Sequence, residues 1–332
     1  MNGAEPRPVT PLDLPLMRRV IARCLPLDMA TTLTRGLPGW EETLLASVPL
    51  ADLGAPTLVL RKGETAYLGQ FRQRGDRKVA HVTFLAPDPQ AQDVYEWARV
   101  LEAIAFEAGK RGAHLINAEV EENHPVFEAF RLAGFAVYAR QVILRREPGQ
   151  ISAHVPAMLR PVSDRDAIAI STLRVNTVPR LLQQAELLPD LECGGLIYEH
   201  RGQVAGYLTV IDGKVGVVIK PYFHPEVDDQ AAAIIMSALA HIPHADRVPV
   251  YLYARAYQDW LRGALDEVEF KPWTHQALMV KYTLVRAERA EAVALPSLEA
   301  NRLRPPVADG PMPLRKFMNR SDRAQPWRRN GK

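Results

Sequence analysis

Two residues in this sequence are of types that could transfer a proton from the positions they hold. His81 lies in a strand predicted at 78–86, and a histidine side chain titrates near neutral pH. Tyr222 ends a strand predicted at 214–222 and could donate a proton, although a tyrosine at a strand end more often packs. For a single histidine, too, a structural role is the simpler interpretation. Proton transfer is therefore a hypothesis that depends on what surrounds these residues.

Motifs for metal binding and for nucleophilic catalysis are missing from the sequence. His241 and His244 have Pro243 between them and no nearby set of acids and cysteines, so we predict no metal site. Cys24 and Cys193 form no C-x-x-C pair and are expected to be buried thiols. The chain contains no G-x-S-x-G, no G-K-[ST] and no H-E-x-x-H. The enzyme classes that use these motifs are therefore not indicated.

One stretch, NHPVFEAFRLAGF at 123–135, has the residues of a short helix with marked ends. Asn123 is typical of a helix cap, Pro125 of a first turn, and Gly134 of a helix end. We predict that Asn123 caps this helix. The residues predicted to face inward are Val126, Phe127, Phe130 and Ala133.

The composition is that of a folded, soluble protein. The chain has 332 residues, of which 47% are hydrophobic and 24% are charged. This length suggests two domains. No run of about 18 apolar residues occurs, and the N-terminus lacks the basic-then-apolar pattern of a signal peptide. We therefore expect a cytoplasmic protein without a membrane contact.

Two motifs recur along the chain in the same order. RPVTPLD at 7–13 recurs as RPVSDRD at 160–166, and FAVYARQ at 135–141 is echoed by FKPWTHQ at 270–276. Each copy is predicted to contain helices, three antiparallel strands, a helix, a strand, a helix and a final strand. Such a repeat predicts one α+β domain that is built twice. The predicted segments used below are strands at 195–200 and 203–212, a helix at 167–188 broken at Pro179, and final strands at 142–146 and 277–285.

The repeat and the composition divide the chain into four parts. We predict domains at 1–147 and 157–286, joined by a linker at 148–156 where Pro, Gly and polar residues cluster. Residues 287–332 are expected to form a basic, disordered tail, because they contain too few apolar residues to fold alone. From 301 to 332 there are nine Lys or Arg and two Asp, a net charge of +7, whereas the whole chain has +3. The remainder is therefore mildly acidic.

The tail has two interpretations. RKFMNRSDRAQPWRR at 315–329 interleaves basic residues with Phe317 and Trp327. Such a segment could contact nucleic-acid phosphates and stack on bases. A solvated tail is the preferred interpretation, because basic tails are common. Nucleic-acid binding is the alternative, and truncation after Ala300 would abolish it.

The order of elements and the 123–135 stretch resemble the GCN5-related N-acetyltransferase (GNAT) superfamily, and the repeat resembles its tandem members. The resemblance implies two tandem GNAT-like domains, each with a mixed, mostly antiparallel sheet flanked by helices. In the family, a late helix carries an Asn, a Tyr seven positions later, and then Gly-Phe. Asn123, Gly134 and Phe135 match this pattern. Phe130 stands where the family's Tyr would protonate the departing coenzyme A, and a phenyl ring has no proton to donate.

The family's coenzyme A loop, Gln/Arg-x-x-Gly-x-Gly/Ala, is degenerate in both copies. The backbone N–H groups of such a loop bind the pyrophosphate at a helix start. In the first copy Gln90 matches, but Asp93 and Tyr95 replace the small residues. We predict that the Asp93 carboxylate occupies the helix N–H groups and repels phosphate. In the second copy the small positions are alanines, but Asp228 replaces Gln/Arg and Asp229 adds a second negative charge.

The resemblance also implies roles for individual residues. A general base is expected on the fourth or fifth strand, which places His81 first and Glu119 and Glu121 next. The backbone near Phe84 and Leu85 would hold the pantetheine and polarise the thioester carbonyl. The implied coenzyme A contacts are Phe84, Leu85, Gln90, Gln92, Asp93 and Asn123.

Two functions follow as hypotheses. The first is an N-acyltransferase that moves an acetyl or acyl group from acetyl-CoA or another acyl-CoA to an amine of unknown identity, in a small molecule or a peptide. The first copy would be the active one, since it keeps more of the motifs. The second hypothesis is a non-catalytic tandem binding module that has lost coenzyme A binding, as the acids at both loops suggest.

Overall fold

The structure, a computed structural model, describes residues 5–37, 55–73, 78–151, 158–186 and 194–283. The chain divides into two units, Met1–Ala287 and Glu288–Lys332, and the described residues all belong to the first. The predicted tail at 287–332 and Cys193 lie outside the described residues, as does most of the predicted linker. The domain bounds and the tail therefore stay predictions.

Helices and strands follow each other in the predicted order. The helices of the described residues are α1 (Leu14–Val20), α2 (Met29–Arg35), α3 (Val94–Lys110), α4 (Val126–Leu132), α5 (Ala167–Thr177), α6 (Arg180–Ala185), α7 (Ala231–His241) and α8 (Arg262–Glu267). The strands are β1 (Arg7–Pro8), β2 (Leu25–Pro26), β3 (Thr57–Lys62), β4 (Thr65–Arg72), β5 (Val79–Ala86), β6 (Leu115–Glu121), β7 (Ala136–Arg146), β8 (Leu159–Pro161), β9 (Gly195–His200), β10 (Gln203–Asp212), β11 (Val217–Phe223), β12 (Val250–Arg255) and β13 (Lys271–Tyr282). The predicted bounds of β9 and β10 and the helix break at Pro179 are confirmed.

These strands form one mixed sheet. The strand order is β1-β3-β4-β5-β6-β13-β7-β12-β11-β10-β9-β8, with β2 beside β5. The pairs β5–β6 and β11–β12 are parallel, and the other pairs are antiparallel. The order is symmetrical about β13 and β7, which divides the molecule into a first half (β1 to β7) and a second half (β8 to β13). The predicted α+β fold, built twice, is confirmed.

The halves exchange their final strands. β13 of the second half pairs with β6 of the first, and β7 of the first half pairs with β12 of the second. β7 and β13 also pair with each other, with Gln141 opposite Gln276. The Nε2 of Gln141 donates to the Oε1 of Gln276 at 2.8 Å, and both side chains are buried. Neither half therefore completes its sheet without a strand of the other.

Both faces of the sheet are covered by helices. Helix α3 exposes one side and buries the other, because Trp97, Leu101, Ile104 and Ala108 recur at helical spacing and are buried. It packs with α4 on one face of the first half, and α7 and α8 pack on the same face of the second. On the other face lie α1, α2 and α5. Full burial of each large apolar side chain contributes about 1.5–3 kcal/mol, so these layers supply most of the stability.

The repeated RPV motif forms the same ion pair in each half. The Arg7 guanidinium donates two hydrogen bonds to Asp13, both of 2.8 Å, and the Thr10 N–H and hydroxyl also donate to Asp13. In the second half, Arg160 donates to Asp166 at 2.9 and 2.7 Å. The recurrence of Arg, Thr or Ser, and Asp at fixed spacing is therefore explained by one local structure.

We expect Asp13→Asn to lower the free energy of unfolding at neutral pH by about 1.5–3 kcal/mol, because charge-assisted hydrogen bonds are lost. The hydrogen bonds from Arg7 hold the pKa of Asp13 below its ordinary value. A carboxylate with a lowered folded-state pKa stabilises the fold above its unfolded pKa of about 3.9, and this contribution fades as the pH falls through the folded value. Urea unfolding at several pH values should show a constant difference from wild type above about pH 5 that shrinks below about pH 4. Asp164→Asn, at an exposed position, is the control.

Helices α4 and α8 end at equivalent positions with different residues. Gly134 follows α4 with a φ of +82°, and Glu269 follows α8 with a φ of +65°. A glycine adopts this left-handed region freely, whereas a side chain is strained there. The Phe135 N–H donates to the Phe130 carbonyl at 3.0 Å, which closes the helix end as predicted.

We expect Gly134→Ala to lower, and Glu269→Gly to raise, the free energy of unfolding by about 1 kcal/mol each, because the strain is added in one case and removed in the other. Glu269→Gly also removes a 3.3 Å ion pair with the buried Arg146 side chain, and the cost of that loss is subtracted from the gain. Thermal unfolding of the two variants measures both changes. Equal shifts in the same direction would contradict the strain argument.

The start of α4 differs from the prediction. Pro125 precedes the first helical residue, and no side chain caps the helix in the predicted manner. The Nδ1 of His124 instead accepts the Val126 N–H at 3.2 Å, and Asn123 is exposed. The predicted Asn123 cap is therefore wrong, because the turn before Pro125 brings the neighbouring imidazole to the helix start. The predicted inward side of the helix is confirmed, with Phe127 only partly buried.

Candidate functional site

In each half, two parallel strands separate part-way along their length. β5 and β6 pair from Val79 to His81, and the pairing ends where His81 lies opposite Asn117. β11 and β12 pair from Val217 to Ile219 and then separate. Beyond these points the two strands of each pair leave a cleft between their edges. Phe84 and Leu85, whose backbone is predicted to hold the pantetheine, lie on β5 beyond the point where the first pair separates.

Residues 25–28, which we call the plug, lie in the cleft of the first half. β2 pairs with β5 at Leu85 and Phe84, and the Leu27 N–H donates to the Thr83 carbonyl at 2.8 Å. Since β4 pairs with the other edge of β5, the plug lies on the edge that β6 has left. The backbone predicted to hold the pantetheine is therefore paired with the chain itself.

The side chain of Leu27, a residue of the plug, is buried on the α3 side of the sheet. It is 3% exposed and belongs to the apolar cluster beneath α3 that also contains Leu85, Ala118 and Phe130. Phe130 is fully buried and meets Phe135 edge-to-face at 4.9 Å. The position of the family's tyrosine is thus part of an apolar core, as expected for a phenylalanine.

The start of α3 carries a negative charge that does not occupy the backbone N–H groups of the helix. The Asp93 carboxylate accepts the Tyr67 hydroxyl at 3.0 Å and makes no hydrogen bond to the helix N–H groups. The prediction that Asp93 occupies those groups is wrong, because Tyr67 draws the carboxylate toward β4. Burial and Asp93 raise the pKa of Tyr67 to about 12. Gln90 and Gln92 are exposed at this helix start.

A buried amide bridges the parted strands of the second half. Gln258 lies in the 3-10 helix Ala256–Leu261 and is 2% exposed. Its Nε2 donates to the Pro221 carbonyl of β11 at 2.9 Å, and its Oε1 accepts the Arg255 N–H of β12 at 3.2 Å. Asp228 and Asp229 are exposed at the start of the helical segment that follows β11. The backbone of β11 is therefore already hydrogen-bonded in this cleft.

Charged and phenolic side chains from both halves meet on the sheet face opposite α3. Ala118 and Val120 of β6 point into the cluster beneath α3, so Glu119 between them points to the opposite face. We call this group the central polar cluster. Its members are Asp28, Arg72, His81, Glu119 and Tyr138 of the first half and Glu186, Lys220, Tyr222, Tyr253 and Arg255 of the second.

Two ion pairs order the central polar cluster. Arg72 donates to Asp28 at 2.6 Å, and Arg255 donates to Glu186 at 2.8 Å. Glu186 and Arg255 keep 18% and 13% of their side-chain surface accessible. Burial is nonetheless the largest influence on the pKa of Arg255, and Glu186 still raises that pKa. The Arg255–Glu186 pair is therefore largely buried, with part of both side chains still accessible.

Burial affects the two predicted bases in opposite directions. Burial lowers the pKa of His81 to about 4, so its imidazole is neutral but weakly basic at neutral pH. Burial raises the pKa of Glu119, which makes this carboxylate a better proton acceptor than an ordinary glutamate. The sequence placed His81 before Glu119, and the electrostatics favour the reverse order.

Some polar atoms of this region have no hydrogen-bond partner within the described ranges. They are the Oε2 of Glu119, the Oδ1 of Asn117 and the hydroxyl of Tyr253. The Nδ2 of Asn117 donates to the Ala185 carbonyl at 2.6 Å, which fixes the orientation of the amide. A glutamate and an asparagine oxygen are acceptors, so the unfilled positions suit a ligand that carries N–H donors.

Sequence patterns missed most of this cluster. Lys220 and Arg255 stand on strands whose other inward residues are apolar, and a charge within such an alternation is the signal that could have singled them out. The sequence around Asp28 indicates only a helix cap, and its Oδ1 does accept the Thr31 N–H at 3.2 Å. Glu186 follows a short helix and carries no sequence signal of its own.

A cavity of 630 Å³ lies beside β7, β12, β13 and α8, with Arg140, Gln276 and Arg255 of the central polar cluster in its lining. None of the residues predicted for catalysis or coenzyme A binding lines it. Across the described ranges, no three His, Cys, Asp or Glu side chains form a group that could hold a metal ion. The helices of the described part are all too short or too polar to cross a membrane.

No family model matches the chain, and no curated protein matches it. Its structural neighbours include GNAT proteins. They include a GCN5-related N-acetyltransferase from Sphaerobacter thermophilus, with 15% identity, 83% of this chain and 95% of that chain covered, and a TM-score of 0.47. A tandem GNAT protein from the clavulanic acid biosynthesis pathway has 17% identity, coverage of 84% and 98%, and a TM-score of 0.45. A GCN5-related N-acetyltransferase from Kribbella flavida has 13% identity, coverage of 72% and 95%, and a TM-score of 0.43. Values this low transfer neither an activity nor a substrate to this chain.

Proposed function

We propose that the protein is a GNAT-type N-acyltransferase whose first half acts on an amine held in the central polar cluster. The observation that supports this function is the position of Glu119. It lies on β6 just beyond the point where β5 and β6 part, its Oε2 has no partner among the described residues, and burial raises its pKa. A carboxylate in this state is suited to take a proton from an ammonium group.

The amine would be held by residues of both halves. Asn117 and Glu119 offer acceptor oxygens, and the Tyr253 hydroxyl lies near Glu119, whose charge contributes to raising the Tyr253 pKa. Arg255 and Lys220 favour the ionised form of Glu119, while burial opposes it. The second half would therefore tune the base and shape the acceptor site.

Coenzyme A does not fit the cleft as the structure shows it. The plug pairs with the β5 edge that would hold the pantetheine, and Asp93 places negative charge at the helix start where phosphate would bind. A second candidate function, a tandem binding module without acyl transfer, is favoured by this closure and by the Gln258 bridge in the other half.

Two assays on the purified protein separate these candidates. Titration calorimetry measures binding of acetyl-CoA and of a panel of primary amines (a polyamine, an aminoglycoside and a short peptide). Thiol release from acetyl-CoA in the presence of each amine measures transfer. For the acyltransferase we expect amine-dependent thiol release, and we expect Glu119→Gln to lower its rate by about 10²–10⁴-fold, because a neutral amide accepts no proton.

Glu121→Gln is the matched control. Glu121 is two residues along the same strand, exposed, and hydrogen-bonded to the Thr274 hydroxyl at 2.6 Å. It should leave the rate unchanged. Amine binding without acetyl-CoA binding or thiol release would support the binding module instead. A full rate in Glu119→Gln would show that another group is the base.

A further inference from the structure

We propose that the plug is a displaceable closure of the first half's cleft and that the second half holds it in place through α2. This regulation rests on the proposed function, since it governs access of acyl-CoA to the same cleft. Three features of the structure lead to it: the backbone pairing of the plug, the anchoring of Asp28, and the seating of α2 on the other half.

The plug pairs with β5 through backbone hydrogen bonds, as a short strand does. The Thr83 carbonyl accepts N–H groups from both Leu27 and Asp28, at 2.8 and 3.2 Å. Further along, the Asp88 N–H donates to the Arg23 carbonyl at 2.6 Å. The chain from 23 to 28 therefore runs beside 83–88 and satisfies backbone groups that the parting of β6 leaves open. A ligand that pairs with the same edge must first displace this segment.

Asp28 fastens the end of the plug. Its carboxylate accepts hydrogen bonds from Arg72 at 2.6 Å and from the Thr31 hydroxyl at 2.9 Å. Burial alone would raise the pKa of Asp28, but Arg72 and Thr31 hold it below its ordinary value. The anchor therefore stays charged at neutral pH. Because Asp28 also caps α2, the position of the plug and the position of this helix are linked.

Helix α2 rests on the second half. Met29 and Leu33 are buried against side chains from β11 and β12 of the second half, together with one from β7 of the first. At its C-terminal end, the Thr34 carbonyl accepts the Val215 N–H at 3.2 Å. The group that receives the helix is Ile143, Val218, Tyr251 and Tyr253. Every feature that seats α2 on β11 and β12 therefore also stabilises the closed cleft of the first half.

Two glycines of the second half make this seating close. A Cβ on Gly213 would lie 2.1 Å from the Thr34 carbonyl oxygen, and a Cβ on Gly216 would lie 2.7 Å from the Leu33 carbonyl oxygen. Neither distance is tolerated, so an alanine at either position must push α2 away. Gly213 thus offers a way to disturb the plug through a residue that belongs to the other half and touches neither β5 nor the plug.

The test compares acetyl-CoA binding by wild type, Gly213→Ala and Leu27→Ala, using calorimetry on the full chain. Hydrogen exchange of the Leu27 and Asp28 amides reports the state of the plug. We expect faster exchange of these amides in both variants and acetyl-CoA binding at least about tenfold tighter than in wild type, because the competent state is more populated. Gly263→Ala is the control, since a Cβ there meets nothing within 4 Å.

The outcomes separate the plug from the proposed function. One result is that wild type binds acetyl-CoA while both amides stay protected from exchange. Another is that wild type binds it and the variants, with faster-exchanging amides, bind no tighter. Either result contradicts the gating role of the plug and leaves the proposed acyltransferase function in place. If the amides are freed and no form of the protein binds acetyl-CoA, the acyltransferase and the gating role both fail. Leu27→Ala and Gly213→Ala lie in different halves, so a folding failure of one leaves the other as the test.

Discussion

Replacement of Arg255 by methionine is expected to lower the free energy of unfolding by about 3–5 kcal/mol, the cost of leaving a buried charge without its partner. The guanidinium donates to Glu186 at 2.8 Å and to the Oε1 of Gln141. Without it, Glu186 keeps the Tyr138 hydroxyl at 3.2 Å but loses its cation. Gln141 is also the central residue of the strand exchange, so the loss reaches the contact between β7 and β13. Urea unfolding of the variant measures the change.

Two further variants test the reason for this loss. Arg255→Met combined with Glu186→Leu should recover most of the stability, because no charge is then left unpaired. Arg262→Met removes an arginine that is 69% exposed and pairs with Asp259 at 2.8 Å, so a change below about 1 kcal/mol is expected. If the double variant is as unstable as the single one, the cost comes from lost packing or from Gln141 rather than from the unpaired carboxylate.

The second large effect is expected at Phe130. Phe130→Ala should lower the free energy of unfolding by about 3–5 kcal/mol, because it opens a cavity in a packed core. The ring is fully buried in the cluster that also holds Leu27 and Leu85, and it contacts Phe135 edge-to-face. Phe106→Ala is the control on α3, since that ring is 66% exposed and should cost below about 0.5 kcal/mol. Equal losses in the two variants would contradict the burial argument.

The Phe130→Tyr variant tests whether a tyrosine at the family's position can be accommodated and can donate a proton. We expect a cost of about 1–3 kcal/mol, because the added hydroxyl would be buried among apolar side chains without a partner. We also expect no gain in thiol release while the plug is in place, because Leu27 belongs to the same apolar cluster. Thiol-release assays of Phe130→Tyr, alone and with Leu27→Ala, measure this. A faster single variant would show that the hydroxyl reaches the reacting atoms with the plug present.

Local patterns in the sequence predicted the elements and their repetition. The RPV motifs recur because each half contains the same Arg–Asp pair. The pattern around Gly134 predicts a helix end, because the residue that ends the helix has a left-handed conformation, which glycine adopts without strain. The helical spacing of Phe130 predicts that its side chain is buried in the core, and the structure confirms this. Burial of one face, capping and turn chemistry are properties of neighbouring residues, so they leave a trace in the order of the chain.

Long-range pairing decided what the sequence left open. The sequence predicts the final strands at 142–146 and 277–285, but they begin at Ala136 and Lys271 because each is paired on both edges with strands of the other half. The plug pairs through two residues, which is too short to show any period. Its effect depends on where β6 leaves β5.

The central polar cluster also depends on distant parts of the chain. Asp28, Glu119 and Arg255 are far apart in sequence, and each appears there as one charge among many. The strand exchange brings them to one face of the sheet, where burial changes their pKa values. The sequence alone therefore determined the elements and the apolar faces. The tertiary structure decided the occupant of the cleft and the burial of His81 and Glu119, because closure and desolvation arise only when both halves are packed together.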